Sequence, residues 1–375
     1  MSHNTVIPNL VISQRVLDKM TAAAEHFIED ETGEAMIGLL VPGAQTNGVP
    51  TLYVLDTIAP DESAVRMMHT FQQGDERQDE MIWWLQENWR VHRDALKTHE
   101  ARHSGDSKWD VPLRYLGDWH KQPGYMIAPS GGDLLTALDW IDDEENGMEF
   151  LLVPILTLDH PPTTITGSQV NFLTIPQRDG SNMRIDWWYI DRKIRAFMPI
   201  VPAVYPENQL PKLAAYPWHL LHEERFQSEM ALLQDDGVLN SVVLWDTDHK
   251  IPLEVCLFCA RAGSAKILLI ITHHDYPKSK PQARIAPFTR IGADDDMYEV
   301  FEMLWAKSEA VKDPPAWHWN ADSHLLDYIR ALEAALGLPT SAPKPAPVEV
   351  GGGESAPASG DGEKPADDTE DDGDD

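Results

Sequence analysis

The chain is short of cysteine, of long apolar runs and of positive charge, and each shortage closes off a class of protein. Two cysteines in 375 residues cannot build a disulfide framework, which suits a reducing cytoplasm. A membrane helix needs roughly 20 consecutive apolar residues. The best run, Phe150 to Leu158, is short and interrupted by Pro154, so it reads as a buried strand. The first residues are polar, with no basic stretch leading into an apolar core, so no secretory leader is expected. Against 61 Asp and Glu stand only 30 Lys and Arg, a formal net charge of −31. A surface this acidic repels nucleic acid and anionic lipid alike. The expectation is a cytoplasmic protein with neither nucleic-acid nor membrane partners.

What the chain does have is Gly117-Asp118-Trp119-His120-Lys121-Gln122-Pro123-Gly124, followed by Ser130-Gly131-Gly132-Asp133. Residues two apart on a strand share a face, so positions 120 and 122 can both reach one ion. Asp133, at the start of an expected helix, adds a carboxylate. A catalytic zinc takes three protein ligands and leaves the fourth position to water. His120 and Asp133 are good ligands, but the third place holds Gln122, whose neutral amide is a poor substitute for imidazole.

The spacing resembles the JAMM motif of the MPN (JAB, Mov34) family of zinc isopeptidases: a remote Glu, then His-x-His-Pro, seven residues, Ser, two residues and Asp. His120, Pro123, Ser130 and Asp133 stand at those places. Glu31-Thr32-Gly33-Glu34-Ala35-Met36-Ile37-Gly38 looks like the family's first segment. The resemblance, over roughly residues 5–165, implies Glu31 as general acid/base, Ser130 as oxyanion donor, and zinc on His120, Asp133 and the degenerate position Gln122. The expected element order is a helix from Val11 to Ile28, a strand carrying Glu31, a strand from Thr51 to Ile58, a long helix and the histidine strand. Without the resemblance, Ser130 with Asp133 reads as a helix N-cap, and Glu31 as a solvated member of the run Glu29-Asp30-Glu31.

After Phe150 to Leu158, further strands are expected at Val170 to Ile175 and Met183 to Tyr189. The proline-rich stretch Phe197 to Leu213 reads as a connector. Helical periodicity from Trp218 to Leu233 is followed by strand-like runs at Val238–Trp245, Ile251–Ala260 and Lys266–Thr272. His274-Asp275-Tyr276-Pro277-Lys278-Ser279-Lys280-Pro281 comes next, then helices at Met297–Val311 and Asp322–Leu336. A helix, a meander, a Tyr-Pro-x-x-x-Pro turn and closing helices resemble the ubiquitin-conjugating (UBC/RWD) fold over roughly residues 211–337. No cysteine follows the turn, so thioester transfer is excluded and the resemblance implies a domain that binds without carrying.

Other motifs have plainer readings. His99-Glu100-Ala101-Arg102-His103 matches the zincin pattern, but its flanks are polar and no third ligand follows, so it reads as a solvated helix end. Cys256-Leu257-Phe258-Cys259 lies inside an apolar strand with no second pair for a structural zinc, and reads as buried core. Trp83, Trp84 and Trp89 suggest a core face of the long helix, with any exposed member open to a partner.

The fold class expected is α+β: an MPN/JAB-like mixed sheet with flanking helices (1–168), a connector (169–210), a UBC/RWD-like antiparallel meander with helices (211–337) and a disordered acidic tail (338–375). By resemblance, the function is zinc-dependent isopeptidase (deubiquitinase-like) removal or processing of ubiquitin-like proteins, with Gln122 weakening or abolishing it. The alternative is a non-catalytic scaffold that binds such a modifier or its conjugation machinery.

Overall fold

A short strand, β1 (Asn9–Ser13), runs straight into helix α1 (Gln14–His26). The helix expected from Val11 thus starts at Gln14. Leu10 and Ile12 enter one core and Val11 another, the alternation of a strand covered on both faces. Ser13 then caps α1 by accepting the Val16 N–H at 3.2 Å. The computed structural model describes residues 6–340, apart from 74–75, 99–105, 162–169, 248–251, 293 and 316. The His99–His103 motif and almost all of the acidic tail lie outside the described residues.

Strands β2 (Gly33–Val41) and β3 (Thr51–Ile58) follow, then a hairpin of β4 (Val65–Met67) and β5 (Thr70–Gln72). The long helix α2 (Glu76–Thr98) leads to the histidine strand β6 (Leu113–Lys121) and to α3 (Gly131–Asp142). The apolar run at 150–158 divides into β7 (Phe150–Leu152) and β8 (Ile155–His160) at Pro154, which has no N–H to donate to a ladder. Beyond it come β9 (Phe172–Pro176), β10 (Asn182–Asp186), β11 (Trp188–Asp191), β12 (Met198–Pro199) and β13 (Pro202–Tyr205).

Eight of these strands form one mixed sheet in the order β13-β1-β3-β2-β6-β8-β10-β9. β1 runs parallel to both β13 and β3, and β6 parallel to β8. Residues 169–210, expected as a connector, therefore supply β9, β10 and β13 to the sheet. Proline is tolerated in β13 because it is an edge strand. α1 packs on one face with Met36, Leu116 and Trp119, and α2 on the other with Ile37, Leu39 and Leu113.

The second half opens with two helices where one was expected, α4 (Trp218–Leu221) and α5 (Glu223–Asp235), divided at His222. The meander β14 (Leu239–Trp245), β15 (Glu254–Cys259) and β16 (Lys266–Thr272) gains an unanticipated β17 (Gln282–Pro287). α6 (Met297–Lys307) ends short of Val311, and the chain extends into β18 (Glu309–Ala310) before α7 (Leu325–Leu336). The second sheet is antiparallel in sequence order, β14 to β18. The fold is α+β. Cys256 and Cys259 are both buried thiols, and no helix of the described residues is long and apolar enough to cross a membrane.

The two largest sheets share α2, beside a three-stranded sheet β12-β11-β7 and the β4–β5 hairpin. Trp84 (1% exposed) and Trp89 are buried, whereas Trp83 is 46% exposed. The Trp84 indole donates to the Ala215 carbonyl at 3.0 Å, and Asn88 Oδ1 accepts the Leu253 N–H at 2.7 Å. Leu210, Leu220 and Leu253 are buried in the same cluster as α2. At roughly 1.5–3 kcal/mol for each buried aliphatic side chain, parting them would take up much of a net stability of about 5–15 kcal/mol. Residues Met1–Thr340 accordingly form one compact unit.

A buried acid ties the second half together. Glu229, fully buried, accepts the Tyr276 hydroxyl at 2.6 Å and the Leu325 N–H at 2.9 Å, and pairs with Arg225 at 2.7 Å. It thereby joins α5, the Tyr276-Pro277 turn and the start of α7. Glu229→Ala should lower stability by about 3–5 kcal/mol, since it leaves two buried donors unpaired and takes the carboxylate from a partly buried guanidinium. Urea unfolding followed by circular dichroism measures this; a change under about 1 kcal/mol would mean the network holds nothing.

Candidate functional site

Strand β6 is pinned at its C-terminal end from both sides. The His120 N–H donates to the Pro154 carbonyl at 3.1 Å, Lys121 N–H to Thr32 at 2.6 Å and Gln122 N–H to Leu156 at 2.9 Å. Asp133 is fixed by a reciprocal cap: its N–H donates to Ser130 Oγ at 3.2 Å while its Oδ2 accepts the Ser130 N–H at 2.6 Å. Glu31 sits just before β2 rather than within it, and its N–H donates to the Met67 carbonyl of the hairpin at 2.9 Å.

These elements bring His120, Gln122 and Asp133 together. Gln122 Nε2 lies 3.0 Å from His120 Nε2 and 3.4 Å from Asp133 Oδ2, and His120 Nε2 lies 3.8 Å from Asp133 Oδ1. A carboxylate offers only acceptors, so the amide turns its NH2 end toward the pair. His120 then accepts through Nε2 and carries its proton on Nδ1. The amide oxygen, Gln122 Oε1, is buried without a hydrogen-bond partner among the described residues.

This donor set does not fit a catalytic zinc. Two good ligands are present where three are needed, and the third place is filled by an amide that donates hydrogen bonds to both of the others. Among the described residues no three His, Cys, Asp or Glu side chains gather as a metal group. Ser130 already accepts the helix N–H, and Glu31 is close enough to Asp133 to be repelled by it. Burial first, and then that repulsion, raise the Glu31 carboxyl above its ordinary range. Burial lowers the His120 imidazole, with Asp133 opposing.

Glu31, His120 and Asp133 stand along a cleft of about 690 Å³ that continues past Tyr115, Asp118 and Trp140. Tyr115 and Asp118, three positions apart, would face opposite sides of a regular strand. A register shift opposite Met36 and Ile37 inserts an extra residue at Leu116-Gly117, which brings both side chains to the cleft beside His120. Burial pushes the Asp118 carboxyl up to about 6, against the opposing pull of Tyr115 and Gln73 beside it. Asp118 Oδ1 and the Tyr115 hydroxyl are shut off from solvent beside each other, with no cation against either. Sequence reasoning passed over Asp118, although a period of two from His120 put it on the same face.

No family model and no curated protein matches the chain. A Desulfitobacterium hafniense protein solved in solution aligns over 53% of this chain and 96% of its own, at 12% identity and a TM-score of 0.27. That likeness is too slight to bear on fold or function.

Asp133→Asn removes an attraction at His120 and a repulsion at Glu31, so both should titrate at lower pH than in the wild type. NMR titration of the two side chains checks this; opposite movements would place Asp133 away from one of them. In the wild type the folded His120 value lies below the ordinary 6.5. Its stability contribution is therefore complete above that pH and lost as pH falls toward the folded value.

Proposed function

We propose that this protein is an MPN/JAB-type module that binds a ubiquitin-like protein, or its conjugates, in the His120–Asp118 cleft without hydrolysing them. The observation that carries the reading is the Gln122 amide, hydrogen-bonded to His120 and Asp133 where a JAMM site has its third ligand and its metal. The site keeps the family's constellation of Glu31, His120, Ser130 and Asp133, but its polar groups hold each other.

In this reading the residues of the site bind and position. Neutral His120 and the amide shape the end of the cleft, and the Ser130–Asp133 cap fixes α3 along its side. Glu31, held by the β4–β5 hairpin, offers an acceptor to a peptide N–H. The UBC/RWD-like half contributes contact rather than chemistry. Burial raises both Cys256 and Cys259 far from the thiolate range, and both precede the Tyr276-Pro277 turn, so no thioester chemistry is assigned to them.

Gln122→His tests the reading directly. The substitution restores a third nitrogen ligand to a site that already has its acid/base and oxyanion candidates. Zinc affinity should rise by about 10–100-fold, with isopeptidase activity appearing on a ubiquitin-like fusion that the wild type binds intact. Metal analysis and a cleavage assay decide it. Stoichiometric zinc and cleavage by the wild type would overturn the non-catalytic reading.

A further inference from the structure

We propose that the floor of this cleft receives the ammonium or guanidinium group of a lysine or arginine, with Asp118 as counter-ion and Tyr115 and Trp140 as walls. The inference deepens the proposed function, because it rests on the cleft taking an extended peptide.

The first argument is how this chain treats several of its buried acids. Asp56 pairs with Arg15 and Lys19, Asp186 with Arg184, Glu229 with Arg225, and Asp236 and Glu333 with Arg261. Each of these has its cation supplied from within the fold, as an ionised group removed from water requires, while the buried Glu34 and Glu254 accept the Thr57 and Thr247 hydroxyls. Asp118 has none. Only the uncharged Tyr115 and Gln73 stand against its carboxylate, and its Oδ1 is buried away from any cation among the described residues.

The second argument is the composition of the walls. Glu31, Asp79, Asp118 and Asp133 line the cleft, and among the described residues lining it there is no Lys or Arg. An anionic or phosphorylated ligand is thereby disfavoured, and a cation is drawn in. The third is aromatic: the Tyr115 and Trp140 rings lie 5.9 Å apart at 40°, and Trp140 remains 40% exposed. Ring faces attract a cation and hold the aliphatic stem that carries it. Together these describe a slot for a long basic side chain whose charged end reaches Asp118.

The test uses the full chain and three pentapeptides, each blocked at both ends, with Arg, Lys or norleucine at the centre of a glycine sequence. Calorimetry at low salt and mildly alkaline pH should show both basic peptides binding roughly tenfold or more tighter than the norleucine peptide. Asp118→Asn should abolish that preference, while Glu302→Gln, an acid on α6 outside the cleft, should keep it. Should Asp118→Asn fail to fold by circular dichroism, Asp79→Asn and Trp140→Ala replace it; each should reduce the preference for the basic peptides, Trp140→Ala weakening the norleucine peptide as well. Equal binding of all three peptides, no binding of any, or a preference that survives these variants overturns the inference. Failure of the ubiquitin-like reading is distinguishable, since it would leave the preference for basic peptides intact while a ubiquitin-like protein failed to bind.

Discussion

The geometry of the cleft depends on one backbone position, Gly117. Its φ of +129° lies where side chains are strained, and a Cβ there would come within 2.1 Å of the Leu152 carbonyl oxygen. Glycine at this point therefore does two things together. It lets β7 close against β6, and it accommodates the bulge that rotates the last residues of β6 relative to the first. With a larger residue, β7 would be forced away and Asp118 and His120 would lose their common orientation with Tyr115. The bulge thus sets the floor of the cleft, and the cap at Ser130 sets its rim.

Around that position several polar groups are buried close together. A chain with a formal net charge of −31 must place many carboxylates, and it buries several beside arginine or lysine. Near the cleft, Asp118, Tyr115 and Gln122 each keep a buried polar atom with no cation against it among the described residues. Groups of this kind lower stability and are expected where binding or chemistry supplies what the fold withholds. At the core of the second half, by contrast, Glu229 is matched by Arg225, the Tyr276 hydroxyl and the Leu325 N–H.

Much of the arrangement could be read from local sequence. The two-residue step from His120 to Gln122 and the Ser130–Asp133 cap are short-range signals, and both residue pairs meet as their spacing implies. Thr51–Ile58 and Lys266–Thr272 are strands from end to end because their apolar content and flanking turns leave little choice. Failures came where a partner distant in sequence decides. Val11 and Ile12 are strand only because β3 and β13 flank them, and the proline-rich stretch near Pro202 is a strand only because β1 offers it an edge. The hidden alignment of Tyr115 with Asp118 had the same cause, since no local pattern marks a bulge that β2 and β7 impose. β17 escaped notice because its pairing with β16, not its own composition, makes it a strand.

The amide at position 122 also has a consequence for where and when the site exists. A metal centre takes its shape from an ion the cell must supply, so such a site changes with zinc starvation, chelation and competing metals. Here the same two side chains are drawn together by a covalent part of the chain, and their arrangement is made at synthesis. The codons for glutamine and histidine differ only in the third base. The cleft therefore stands a single nucleotide from carrying histidine at position 122, a change that needs no rebuilding of the fold.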